Sequence, residues 1–86
     1  MVTFDIIIRE KEGLHANSAA DISREAERYV SSVMIGHEDI SLNARSLMGM
    51  LALKAGKGDT LHVVIEGPDE KLAAEGIRRL LDEELA

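Results

Sequence analysis

The spacing of apolar residues switches repeatedly along this chain between every second residue and every third or fourth. Alternation predicts half-buried strands, whereas helical spacing predicts amphipathic helices. Alternating runs begin at Val2 and recur at 33–35, 40–42 and 61–65. Helical spacing occupies about 17–29, then 46–53, and resumes after 67–69. The resulting order is strand, helix, strand, strand, helix, strand, helix, and it constrains the fold more than any other feature.

Strands this short must bury one face, and three amphipathic helices supply the apolar surface to cover it. We therefore predict one α+β domain over residues 1–86, a four-stranded antiparallel sheet covered on one face by three helices. The polar turn 36–39 predicts a hairpin between the second and third strands. Gly56 and Gly58 are expected to end the second helix.

The sequence predicts caps for the first two helices and a buried face for the first and the last. Asn17 or Ser18 is predicted to cap the first helix, with Ser18 and Asp21 approximating a capping box. Serine is a good N-cap, so Ser46 is predicted to cap the second helix. The predicted buried positions of the first and last helices are Ala19, Ile22, Ala26, Tyr29, Leu72, Ala73, Ile77, Leu80 and Leu81.

Composition excludes several classes of protein. A net charge of −6 with 2% aromatic residues argues against nucleic-acid binding. The absence of cysteine excludes disulfides and thiolate chemistry, and no His/Asp/Glu grouping has metal-ligand spacing, so we predict no metal. No apolar run is long enough to cross a membrane, and no secretory signal is visible, which makes the cytoplasm the expected location.

His15 lies just after Gly13 and just before the first predicted helix. The unpaired N–H groups at a helix start favour anions, and a neutral imidazole placed there is a suitable phosphoryl acceptor. From the local sequence alone, however, a solvated histidine beside a helix cap is the simpler interpretation. His37, in the predicted hairpin turn, and His62, on a polar strand face, are also expected to be solvated.

Two segments together resemble the HPr family of histidine phosphocarrier proteins. They are Gly13-Leu14-His15-Ala16 and, about thirty residues later, Asn43-Ala44-Arg45-Ser46-Leu47-Met48-Gly49. The resemblance covers nearly the whole chain and implies the open-faced β-sandwich. It also implies a cytoplasmic, monomeric carrier that needs no cofactor and is not a turnover enzyme. His15 would take phosphate from enzyme I and pass it to sugar-specific enzyme II components.

The resemblance also assigns a regulatory and a partner-binding surface. Ser46 matches a serine that a dedicated kinase phosphorylates in many members, although simple helix capping explains it equally well. The residues expected to meet partners are Ala20, Leu47, Met48 and Leu51. The second helix has too many apolar residues for one face, so Met50 and Leu53 are expected inside and Leu47, Met48 and Leu51 outside.

The chain departs from the family where Asn17-Ser18 replaces the usual Arg-Pro. Without that arginine, Ala16, Asn17, Ser18 and the first-turn amides would have to hold the phosphoryl group. Arg24 and Arg28 lie too far along the helix to substitute. We therefore expect slower transfer or a less stable phosphohistidine.

Two alternatives remain open. The chain can be a regulatory relative whose His15 transfers phosphate weakly or not at all and which signals through Ser46 or its apolar surface. It can also be a small ligand-binding or oligomerising module that shares only the topology. Phosphorylation by enzyme I separates the first alternative from the carrier, and ligand-dependent thermal stabilisation identifies the second.

Overall fold

The strands and helices follow one another in the order predicted from apolar spacing. A computed structural model describes residues 1–86. The elements are β1 (Val2–Ile7), α1 (Ala16–Glu27), β2 (Ser32–His37), β3 (Ile40–Asn43), α2 (Leu47–Ala52), β4 (Thr60–Glu66) and α3 (Glu70–Glu84).

The four strands form one sheet in the order β1-β4-β2-β3, and every neighbouring pair is antiparallel. Phe4 pairs with Val63, which in turn pairs with Ile35, so one row of inward-facing side chains crosses three strands. All three helices pack on the face to which this row points. The predicted α+β sheet covered on one face by three helices is confirmed.

The space between sheet and helices holds a single cluster of 20 buried apolar residues. Burying each large aliphatic side chain contributes about 1.5–3 kcal/mol, so this cluster supplies most of the favourable free energy of folding. Small residues on α1 let the helix approach the sheet closely, because Ala19 and Ala26 are fully buried. No helix combines the length and apolar character that crossing a membrane requires.

The helices differ from their predicted form in two respects. The first helix runs from Ala16 to Glu27 and so begins and ends earlier than predicted, although Tyr29 beyond its end is still buried. Leu72 was predicted to be buried but is 61% exposed. The buried face of α3 is set by Ala73, Ile77 and Leu81 at intervals of four, and Leu72 lies about 140° from the centre of that face around the helix.

Arg45 fixes α2 relative to the end of α1. Its guanidinium donates to the carbonyl oxygens of Ala26 (3.4 Å) and Tyr29, and a cation is favourable at this helix end. The Ser23 hydroxyl in α1 donates to the Arg45 carbonyl at 2.8 Å. These contacts hold the segment before α2 against α1, so the two helices present a continuous surface.

Asp69 joins the start of α3 to the start of β2. Its carboxylate accepts from the N–H groups of Val30 (3.0 Å) and Ser31 (2.9 Å) and from the Ser31 hydroxyl. These hydrogen bonds, led by the one from the Ser31 hydroxyl, lower the pKa of Asp69 below its ordinary value of 3.8.

Asp69→Asn is expected to destabilise the protein at neutral pH, and the loss of stability is expected to be smaller at acidic pH. Because the pKa of Asp69 is lower in the folded than in the unfolded chain, its contribution is complete above 3.8 and is lost as pH falls through the folded-state pKa. Urea midpoints at neutral pH and at decreasing pH measure this. Asp39→Asn, at an exposed turn position, is the control, and equal shifts for both variants would contradict the prediction.

Candidate functional site

The loop before His15 is held from two sides of the molecule. The backbone N–H groups of Arg9 and Glu10 donate to the Leu85 carbonyl at 2.7 and 2.9 Å. On the other side, the Leu14 N–H donates to the Ala55 carbonyl at 3.0 Å. The end of the chain and the segment after α2 therefore both determine where the histidine lies.

Gly13 makes this close approach feasible. Its φ is +69°, a left-handed conformation that side chains with a Cβ rarely adopt. A Cβ here would lie 2.7 Å from the Ala55 oxygen and 2.7 Å from the Gly56 Cα. Both the positive φ and the close packing against residues 55–56 therefore require glycine at this position.

His15 itself caps α1, which corrects the prediction that Asn17 or Ser18 would do so. Its backbone is extended (φ −127°, ψ −178°), and its ring Nδ1 accepts the Asn17 N–H at 3.3 Å. The Ser18 hydroxyl accepts a hydrogen bond from the His15 N–H at 3.1 Å and donates one to the His15 carbonyl at 3.1 Å. The capping box therefore joins His15 and Ser18, not Ser18 and Asp21.

This cap fixes the chemistry of the ring. Because Nδ1 accepts a hydrogen bond, the proton of a neutral ring is on Nε2. Nε2 lies 3.6 Å from Glu12 Oε2. The unprotonated Nδ1 therefore lies at the start of α1. The His15 side chain is 32% exposed, so the ring is accessible to solvent. Nδ1 is thus available as a nucleophile next to backbone donors.

The three residues expected to cradle phosphate are placed differently. Ala16 and Asn17 are exposed in the first turn of α1. Ser18 is 0% exposed, and its hydroxyl is occupied by the His15 backbone. The Ser18 side chain therefore positions the histidine, and only its backbone N–H stays a predicted contact for phosphate.

The charges around His15 are mainly negative. Glu12 is the one ionic partner of its ring within 4 Å, while Arg24 and Arg28 pair with Asp21 and Glu25 along α1. The pKa of Glu84, at the end of α3, is raised, first by a shared hydrogen bond with Asp21 and then by burial. The ionic partner that the chain supplies to the ring is thus a carboxylate.

Ser46 caps α2 as predicted, and its hydroxyl accepts the Gly49 N–H at 2.9 Å. Met50 and Leu53 are buried, as expected. Next to Ser46, Met48 is 79% exposed and Leu47 is 39% exposed. Leu51 and Ala20, also expected at the partner surface, are only partly exposed.

The other two histidines differ from each other. His62 is exposed, as predicted, and its Nδ1 contacts Asp5 Oδ1 at 2.7 Å. The prediction for His37 was wrong, because its side chain is only 12% exposed. Its ring lies between the Leu53 carbonyl (3.0 Å) and Asp59 Oδ2 (3.2 Å). No three His, Asp or Glu side chains form a group that could hold a metal ion.

Comparisons with known proteins establish the family of this chain and match its fold. The family description "PTS HPr component phosphorylation site" matches residues 2–83. The chain belongs to the HPr family. It is 41% identical over 80 residues to the phosphocarrier protein HPr of Treponema pallidum, covering 93% of this chain and 91% of that protein. HPr is a phosphocarrier protein and not a turnover enzyme.

Two further relatives show the range of the HPr family. The HPr-like protein Crh of Halalkalibacterium halodurans is 34% identical over 84 residues, covering 98% of this chain and 100% of that protein. The histidine-containing phosphocarrier protein of Mycoplasma superposes with a TM-score of 0.92 at 27% identity, covering 95% of this chain and 93% of that one. The open-faced β-sandwich implied by the resemblance is confirmed.

Gly13→Ala is expected to destabilise the protein by about 1–3 kcal/mol more than Gly58→Ala. Both glycines have positive φ, at +69° and +93°, but a Cβ at Gly58 meets no atom within 4 Å. The comparison therefore separates crowding at the His15 loop from the backbone cost that both positions share. Chemical denaturation of the two variants measures the difference, and equal losses of stability would show that the loop tolerates the added methyl group.

Proposed function

We propose that this chain is a phosphocarrier of the phosphoenolpyruvate-dependent sugar phosphotransferase system. His15 Nδ1 accepts a phosphoryl group from enzyme I and passes it to sugar-specific enzyme II components. The observation that carries the proposal is the position of Nδ1, 3.3 Å from the Asn17 N–H at the start of α1. The relative in Treponema pallidum, named a phosphocarrier protein, supports it.

Phosphoryl transfer to this ring requires positioning more than covalent machinery. The Nδ1 lone pair forms the bond to phosphorus while the bond to the donor breaks and its electron pair leaves with the donor. The Asn17 N–H is then released from the ring nitrogen and can donate to a phosphoryl oxygen. The Ala16 N–H has no acceptor within the chain and provides a second donor.

The neutral Asn17 limits how well the chain holds the transferred group. An exposed helix start contributes about 0.3–1 kcal/mol to anion binding, whereas a charge-assisted hydrogen bond contributes about 1.5–3 kcal/mol. Asn17 is neutral, and Glu12 places a carboxylate 3.6 Å from Nε2 of the His15 ring. We therefore propose that the phosphorylated form transfers more slowly than in family members with arginine at position 17.

Docking of enzyme I and enzyme II components is proposed at the exposed apolar surface of α2. Leu47 and Met48 present large apolar side chains there, with Ala20 and Leu51 at its edge. Methionine adapts to partners of different shape. These partners act in the cytoplasm or at its membrane face, which we propose as the location of this chain, and one monomer suffices for docking.

A regulatory role is a second candidate, favoured by Asn17 and by the match to a Crh protein over that protein's whole length. In this role a serine kinase phosphorylates Ser46 and His15 transfers little or no phosphate. A phosphate on Ser46 would lie at the N-terminus of α2, which tolerates negative charge. It would also place about two negative charges beside Leu47 and Met48 and so change which partner docks.

Incubation with enzyme I and phosphoenolpyruvate is expected to add one acid-labile phosphoryl group to the wild-type protein. His15→Ala should abolish the addition because it removes the nucleophile, while His62→Ala, at an exposed ring on the sheet, should not. Intact mass spectrometry before and after acid treatment measures both. An unmodified wild type, beside an HPr that the same enzyme I phosphorylates, would favour the regulatory role.

Asn17→Arg is expected to accelerate phosphoryl transfer by about 3- to 10-fold, because it supplies a cation at the phosphoryl group. Thr3→Arg adds the same charge on the uncovered face of the sheet and should leave the rate unchanged. Rapid-quench transfer kinetics with both variants test this. Similar rates for wild type and Asn17→Arg would mean that the missing cation does not limit transfer.

A further inference from the structure

Glu12 is the ionic partner of the His15 ring within 4 Å, and it lies beside Nε2, the nitrogen that does not react. Glu84, at the end of α3, also attracts the ring but from beyond 4 Å, and its carboxyl shares a hydrogen bond with Asp21. Nδ1 points to the Asn17 N–H, so the ring proton is on Nε2, and Nε2 lies 3.6 Å from Glu12 Oε2. The carboxylate and the helix start therefore act on opposite sides of the ring. Together they select the form of the neutral imidazole in which Nδ1 carries the free electron pair.

The backbone of Glu12 is held in place. Its N–H donates to the Glu10 carboxylate at 3.4 Å, and the Gly13 N–H donates to the Glu10 carbonyl at 3.0 Å. The Glu10 N–H is in turn bound by the Leu85 carbonyl at 2.9 Å. The turn that carries Glu12 is thus anchored to the buried end of the chain, although the Glu12 side chain itself is 71% exposed.

We infer that Glu12 is a positioning residue for phosphoryl transfer, which stabilises the positive charge that the His15 ring acquires when Nδ1 is phosphorylated. This inference rests on the proposed function. When Nδ1 bonds to phosphorus and the donor leaves with its electron pair, the ring keeps its Nε2 proton and becomes cationic. The Glu12 carboxylate, 3.6 Å from Nε2, stabilises the cation by charge attraction.

The same contact favours release of the phosphoryl group. A protonated ring is the better leaving group, because the electron pair of the breaking N–P bond returns to a cationic ring and leaves it neutral. By keeping Nε2 protonated, Glu12 maintains phosphohistidine in its reactive form. It acts through the ring and does not contact the phosphoryl oxygens, from which its negative charge is separated by the imidazole.

The solvent exposure of Glu12 determines how large its effect on the transfer rate is expected to be. An ion pair with one partner mostly in water is strongly screened, so a change of about threefold in rate is expected, and not a loss of activity. An effect this small requires a control with the same change in net charge. Glu27→Gln provides it, because Glu27 is an exposed residue at the last position of α1, three helical turns from His15.

The first experiment measures hydrolysis of phosphohistidine as a function of pH in the full chain, phosphorylated by enzyme I and phosphoenolpyruvate. Glu12→Gln is expected to slow hydrolysis about threefold near neutral pH and to move the profile to lower pH, since its ring loses the Nε2 proton more readily. Glu12→Asp should be hydrolysed at a rate between those of Glu12→Gln and the wild type, and Glu27→Gln should be hydrolysed at the wild-type rate. A structural role alone would not move the pH profile. Superimposable profiles for Glu12→Gln and wild type would overturn the inference.

The second experiment does not depend on phosphorylation. Unprotonated imidazole attacks diethyl pyrocarbonate, ethyl carbonate leaves, and the acylated ring is transiently cationic until it loses the proton from its other nitrogen. At a pH where both rings are unprotonated, Glu12→Gln should therefore lower the acylation rate of His15 relative to His62 in the same molecule. Peptide mass spectrometry resolves the two sites. An unchanged ratio would overturn the role of Glu12 in the ring's reactivity. The wild type can fail to accept phosphate while Glu12→Gln still lowers the ratio of His15 to His62 acylation. That result would refute the proposed function but would support the effect of Glu12 on the reactivity of the ring.

Discussion

The site depends on the reciprocal hydrogen bonds between His15 and Ser18 at the start of α1. Through them one residue ends the loop, caps the helix and directs its Nδ1 toward backbone donors. A helix start is favourable for anions in any protein, and here the capping side chain is also the proposed nucleophile. The interaction that stabilises the helix and the geometry that prepares the ring for reaction are therefore the same.

Tertiary contacts maintain this arrangement. The loop before His15 is held by the Leu85 carbonyl and by the Ala55 carbonyl, so elements far apart in sequence fix one side chain. Gly13 allows the approach because no Cβ fits there. An 86-residue chain can thus offer a defined reactive group without a deep pocket, which suits the proposed role of a phosphocarrier.

The charge of the site distinguishes this chain within the HPr family. Asn17 replaces the arginine expected there, and the ring's ionic neighbour is the carboxylate of Glu12. The helix start and Glu12 act on the two nitrogens of one ring. Under the proposed function, such a site prepares Nδ1 for reaction but stabilises the phosphoryl group weakly, and this is why we propose slower transfer than in members with arginine at position 17.

The sequence by itself determined the order of elements, the covered face of the sheet and the motif around His15, because apolar spacing reports burial locally. Only the tertiary structure decided what lies beside each side chain. Periodicity could not show that Leu72 is exposed or that the His37 side chain is mostly covered, since both depend on packing between distant elements. The same holds for the cap: the preference for Asn or Ser was overridden by loop contacts that place the His15 ring over the first turn.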